Sequence, residues 1–176
     1  MPLIESGRLV EDPWVYLDDD AALPEAGPVI VGVARWHAER ESLRRRGSPV
    51  GVRMRSDQPP SLIADDLGRL QVIALEFPTF ADGRAYSSAR LLRERHGYAH
   101  ELRAVGNVLR DQFMFMHRCG FDAFEVADQA AVDGWIEAMS EISVWYQPTG
   151  DGRAPVSVLR HSRRSERPAA IPIGAT

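Results

Sequence analysis

The feature that most constrains the fold is a regular alternation of short apolar runs with charged, helix-forming stretches. Residues 29–34 (VIVGVA), 50–55, 72–77 (VIALEF), 100–105 and 123–126 are five runs of strand length. Between and after them lie residues 37–46, 61–70, 85–96, 107–119 and 128–142, which carry helical composition. Ser61, Asn107 and Asp128 are natural N-caps, and Pro28, Gly47, Pro78, Gly97 and Gly120 punctuate the joints. A strand followed by a helix at each step is the pattern of parallel strands joined by crossover helices. The expectation is a single α/β domain with a mostly parallel, doubly wound sheet of about five strands and helices on both faces. A partial βα-barrel-like sheet is the alternative, because a closed eight-unit barrel needs a longer chain.

The α/β unit is expected over residues 28–147. Residues 1–27 read as a lead-in, with a turn at Ser6-Gly7 and an edge strand at residues 15–17 (VYL). Residues 148–176 mix Pro, Gly, Ser and Arg with little periodicity and read as a mobile C-terminal tail.

Composition removes several mechanisms. A net charge of −4 argues against a general nucleic-acid binder, although Arg44, Arg45 and Arg46 form a local basic cluster, as do Arg160, Arg163, Arg164 and Arg167. All 21 basic residues are arginine, so Schiff-base and phosphate-loop lysines are excluded. Any anion site must use Arg forks, backbone N–H groups and hydroxyls. One cysteine, Cys119, cannot build a disulfide framework, a zinc ribbon or an iron–sulfur cluster within one chain. No His-Glu-x-x-His motif is present, and no metal site is expected. The N-terminus has no apolar signal region and no run is long enough to span a bilayer, so a cytoplasmic protein is expected.

In parallel α/β sheets, ligands bind beyond the carboxyl ends of the strands. The loop after residues 72–77 contains Thr79, Asp82, Gly83, Arg84, Tyr86 and Ser87 at a helix start, where backbone N–H groups and an Arg fork favour an oxyanion. The next strand ends at Arg103, Gly106 and Asn107, again before a helix. These nine residues form the expected anion-binding rim, with Arg84 and Arg103 facing each other across it. A structural reading stands beside it: Asp82-Gly83 as a turn, with Asp82 or Ser87 as a cap. Glu76 is a carboxylate at the end of an apolar strand and needs a partner, with Arg84, Arg103 or Arg53 available. Glu76, Arg84 and Arg103 are the catalytic candidates, and Glu125 poses the same question on the fifth strand. Arg90, Arg93 and Arg95 read as solvated helix surface. Phe115 falls off the Leu109/Phe113/Met116 stripe and is a candidate partner contact. Cys119 reads as a buried, inert thiol.

The stretch LEFPTFADGRAYSSARLLRERHGYAHELRAVGNVLRDQFMFMHRCGFDAFEV, from Leu75 to Val126, resembles the bacterial family called domain of unknown function 934. The phrases FPTFADGRAYSSARLLRERHGY, ELRAVGNVL and RCGFDAFE carry the resemblance, which extends over residues 10–147. Ala85 and His100 depart from it where glycine is expected. Members are often encoded beside assimilatory sulfite reductase and are sometimes labelled oxidoreductases, so the resemblance implies a role in sulfur assimilation. It supplies no catalytic residue. Three roles follow: an accessory or electron-delivery partner of sulfite reductase; a small enzyme or sensor of sulfite, sulfate or a phosphate-bearing nucleotide at Arg84 and Arg103; and a non-catalytic scaffold, in one form a homodimer. No cofactor motif is evident; direct redox work in the first role would need a borrowed cofactor, and a flavin is the candidate.

Overall fold

The computed structural model describes residues 1–126, 134, 137–138, 145–146, 149 and 154–165. Its centre is one mixed sheet of eight strands. These are β1 (Leu3–Glu5), β2 (Arg8–Val10), β3 (Val15–Leu17), β4 (Val29–Gly32), β5 (Val50–Met54), β6 (Leu70–Phe77), β7 (Glu101–Gly106) and β8 (Ala123–Glu125). The five apolar runs all become strands, and the edge strand at Val15–Leu17 forms where expected. The two additional strands come from the lead-in. Ser6 and Gly7 both take positive φ, at 51° and 74°, which gives the tight turn that closes β1 on β2. Three residues per strand are too few to show an alternation, so the sequence pattern does not reveal this hairpin.

The sheet order is β2-β1-β8-β7-β6-β5-β4-β3. From β3 to β8 every neighbouring pair is parallel and each strand lies beside its predecessor. β1 joins the far edge antiparallel to β8. Right-handed crossovers that always step in one direction leave all helices on one face. The core shows the same arrangement. Val31, Val52, Ile73, Leu75, Phe77, Leu102, Ala104 and Phe124 pack with Trp36, Leu43, Leu92, Phe113 and Met116 in one cluster. Ile30, Val72, Ala74 and Val105, on the other face, are also buried but lie outside that cluster. The doubly wound sheet with helices on both faces is therefore corrected to a singly wound one, close to the partial-barrel alternative.

The sheet is curled into a half-barrel. Val10 ends β2 at one edge and Val15 begins β3 at the other. The connection between them can span at most about 18 Å. Seven flat strand-to-strand steps would separate the edges by about 34 Å. β2 and β3 are not neighbours in the sheet, so the ring stays open in its hydrogen bonding.

The helices differ from expectation where local chemistry competes. α1 (Val33–Ala38) starts directly after β4 and is followed by α2 (Arg40–Arg45). The single helix expected from Ser61 is two 3-10 turns, Pro60–Leu62 and Ala64–Arg69, with Asp66 buried among polar partners. α3 (Arg84–Arg90) runs on as a π turn, Leu91–Arg95. Asn107 is not a helix cap. Gly106 takes φ +91° and Asn107 gives its N–H to the Phe77 carbonyl at 2.7 Å, so the chain turns first. A 3-10 turn at Arg110–Gln112 then leads into α4 (Phe113–Arg118). Val156–Ser165 is helical within the segment read as a tail. The helix expected over residues 128–142 lies almost wholly outside the described residues.

Candidate functional site

The concave face of the half-barrel carries a buried charge network. Arg103 shares its row with Arg53, Ala74 and Ala123 and is fully buried. Its guanidinium donates to Glu101 at 2.7 Å, to Asp12 at 2.7 and 3.2 Å and to Glu125 at 3.3 Å. Burial works to lower the Arg103 pKa, but the hydrogen bonds to Asp12 and Glu101 outweigh it and keep the group charged. Burial pushes the Glu101 carboxyl up against the pull of Arg103. The Tyr16 hydroxyl donates to Glu125. More than a third of Tyr16 is exposed overall, yet its hydroxyl end is enclosed in this network, and burial followed by Glu125 drives its pKa well above the usual phenol range. Tyr16 and Glu125 stand on β3 and β8, which five flat steps would hold about 24 Å apart. Their contact is a direct consequence of the curl.

Arg103 is thus saturated with carboxylates and faces the interior rather than an anion-binding rim. Glu76 finds Arg53, one of its three expected partners, at 3.0 Å on the same concave face. Arg84 lies elsewhere, at the start of α3. It donates through Nε to Asp82 at 2.9 Å and through Nη2 to Asp82 at 2.6 Å and to Ser56 at 2.9 Å. Asp82 also accepts the Arg84 backbone N–H at 3.2 Å, and its carboxyl is held well below the usual range, chiefly by Arg84 and then by Ser56. The chain's own carboxylate therefore occupies the position at the helix start where an oxyanion was expected. Thr79, Gly83, Ser87, Gly106 and Asn107 are exposed around this loop. Thr79 closes the turn by accepting the Asp82 N–H at 3.1 Å. The structure does not bring Arg84 and Arg103 together.

Tyr86 turns the other way. Its ring packs edge-on against Phe77 at 5.1 Å, and burial pushes its hydroxyl up to about 12. With Phe80, Asp111, Gln112, Phe115 and Cys119 it lines a predominantly apolar groove of about 420 Å3 between α3 and α4. Phe80 and Phe115 flank it at 57% and 59% exposure. Burial pushes the Cys119 thiol up, so it stays protonated at neutral pH. The segment DGRAYSSAR does border a candidate site, but the site is apolar. Phe115 is singled out by sequence as off the helical stripe. Phe80 is missed, because its exposure depends on the loop geometry after β6.

Arg93 is also corrected. Its guanidinium donates to the carbonyls of Gly120 at 2.9 Å, Tyr98 at 2.6 Å and His100 at 2.8 Å, and it pairs with Asp122. It is a staple between the π turn and the starts of β7 and β8, not solvated surface. Among the described residues, no three His, Cys, Asp or Glu side chains are grouped to hold a metal, and no helix is long and apolar enough to cross a membrane.

No curated protein matches the chain. A family model does match, over residues 51–157, which include all of β5 but its first residue, β6 to β8, the Arg84 loop and both sides of the groove. The chain belongs to the family described as bacterial protein of unknown function, DUF934.

Proposed function

We propose that this is a cytoplasmic accessory protein that docks on a larger enzyme through the groove beside Phe80 and Phe115, and that the enzyme is assimilatory sulfite reductase. The observation that carries the docking role is the pair of phenyl rings, each more than half exposed, beside an apolar groove. Large aromatic side chains held in water on either side of a cavity are what a partner's apolar anchor would cover. The partner's identity rests on the sulfur-assimilation setting that the family resemblance implies. Electron delivery is the more specific form of this role. A single thiol kept protonated by burial does not cycle two electrons, so that form requires a borrowed redox cofactor, for which a flavin is the candidate.

The oxyanion reading at Arg84 and Arg103 has less support, because each guanidinium already holds carboxylates of the same chain. A scaffold that dimerises through the same groove is the second reading, favoured by the same exposed rings. Purification of the tagged full chain from a sulfate-grown native host separates these. Co-elution of sulfite reductase, lost on Phe115→Ala, supports docking on the enzyme, and a flavin spectrum in the pure protein supports electron delivery. A concentration-dependent dimer lost in the same variant, with no reductase present, replaces the first reading by the second.

A further inference from the structure

The first basic cluster, Arg44 to Arg46, lies at the opposite end of the sheet from the Arg84 loop, near the amino ends of β5 and β6. There a cavity of about 380 Å3 is lined by Arg44, Arg46, Arg69, Ser48 and Gln71, with an apolar wall that includes Trp36. The guanidinium groups in it are unequally neutralised. Arg44 pairs with Asp66 and, at 3.5 Å, with Glu41. Among the described residues, Arg46 donates only to main-chain carbonyls, those of Pro24 and, at 2.8 Å, Gly27. Those bonds fix its position but supply no counter-charge. Arg69 is exposed and has no hydrogen bond or ion pair from its side chain among the described residues. The Nε atoms of Arg44 and Arg46 are buried with no acceptor among the described residues. Buried charged donors without acceptors are costly, and an oxyanion is the ligand that Arg forks match best.

We propose that this cavity binds the phosphate or sulfate group of a small molecule, with Arg46 and Arg69 as the main contacts. The site is on a different part of the molecule from the Phe80/Phe115 groove and stands or falls independently of the docking role. It moves the oxyanion chemistry from the rim expected at Arg84 and Arg103 to the other end of the sheet.

The test is thermal stabilisation of the full chain by inorganic phosphate and by inorganic sulfate, each titrated at constant ionic strength against chloride. The expected result is a saturable rise in Tm, with the stronger of the two anions naming the ligand class. Arg46→Ala and Arg69→Ala should each weaken the apparent affinity about tenfold or more. Arg8→Ala, on the exposed strand β2, should leave it unchanged. Arg46 also ties down the loop before β4, so Arg46→Ala can fail to fold; Arg69, whose side chain holds nothing in place, then carries the test. Absence of saturable stabilisation by either anion overturns the proposal. So does stabilisation that Arg69→Ala leaves intact, because the anion is then bound elsewhere.

Discussion

Arg103 and Asp12 are 91 residues apart in sequence, yet the guanidinium of one lies 2.7 Å from the carboxylate of the other on the concave face of the sheet. Asp12 sits in the segment that crosses from β2 to β3, between the two edges of the sheet. The pair therefore fixes that crossing segment onto the inner face. Tyr16 and Glu125 add a second link between β3 and β8.

Arg103→Leu should be strongly destabilising. It removes the cation that Asp12, Glu101 and Glu125 share, and leaves Glu125 buried without that partner. Breaking a buried ionic group from one side costs about 3–5 kcal/mol. Urea denaturation followed by circular dichroism measures this. A loss below about 1 kcal/mol would show that the network contributes little to holding the sheet curled.

Asp66 predicts an acid limb in the stability curve. Burial works to raise its pKa, but hydrogen bonds from Arg40, Trp36 and Arg44 outweigh this and hold the carboxyl below its ordinary value of 3.8. The unfolded chain then binds the proton more readily than the folded one. The stabilisation is complete above pH 3.8 and is lost as pH falls through the lower folded value. Asp66→Asn should cost about 2 kcal/mol at neutral pH, a value reduced for the partial exposure of the two arginines. It should also flatten the acid limb, and denaturation midpoints measured between neutral and strongly acidic pH check both effects.

Gly106→Ala should destabilise by about 2 kcal/mol or more. The residue sits at φ +91°, and an added Cβ would lie 2.6 Å from the Phe77 carbonyl oxygen. That carbonyl also receives the Asn107 N–H, so the clash falls on the joint between β6 and β7. Thermal unfolding of the variant tests it; an unchanged Tm would mean that the turn relaxes freely.

The central strand positions are legible in the sequence because strands such as β4 and β6 are buried on both faces and read as nearly unbroken apolar runs, as 72–77 does. The curl is not legible. It is set by contacts such as Tyr16 to Glu125, 109 residues apart, which leave no local pattern. The direction of winding is equally hidden, since βα alternation is common to singly and doubly wound sheets. The loop after β6 is singled out by the sequence, but its internal pairing is not legible there. Arg84 and Asp82 stand two residues apart and satisfy each other, which makes the loop self-contained. Phe80, in the same loop, is left exposed beside the groove.

Phe80→Ala and Phe115→Ala should leave folding stability within about 0.5 kcal/mol, because both rings are largely in water. Chemical denaturation checks this. A larger loss would identify the rings as part of the fold rather than as a contact surface.

Titration of purified assimilatory sulfite reductase with the purified full chain, followed by calorimetry, tests the docking role most directly. Saturable binding is predicted, weakened about tenfold or more by Phe115→Ala or Phe80→Ala, the scale expected of an aromatic anchor. No binding at protein concentrations of about 100 μM, or binding unaffected by either substitution, would contradict it.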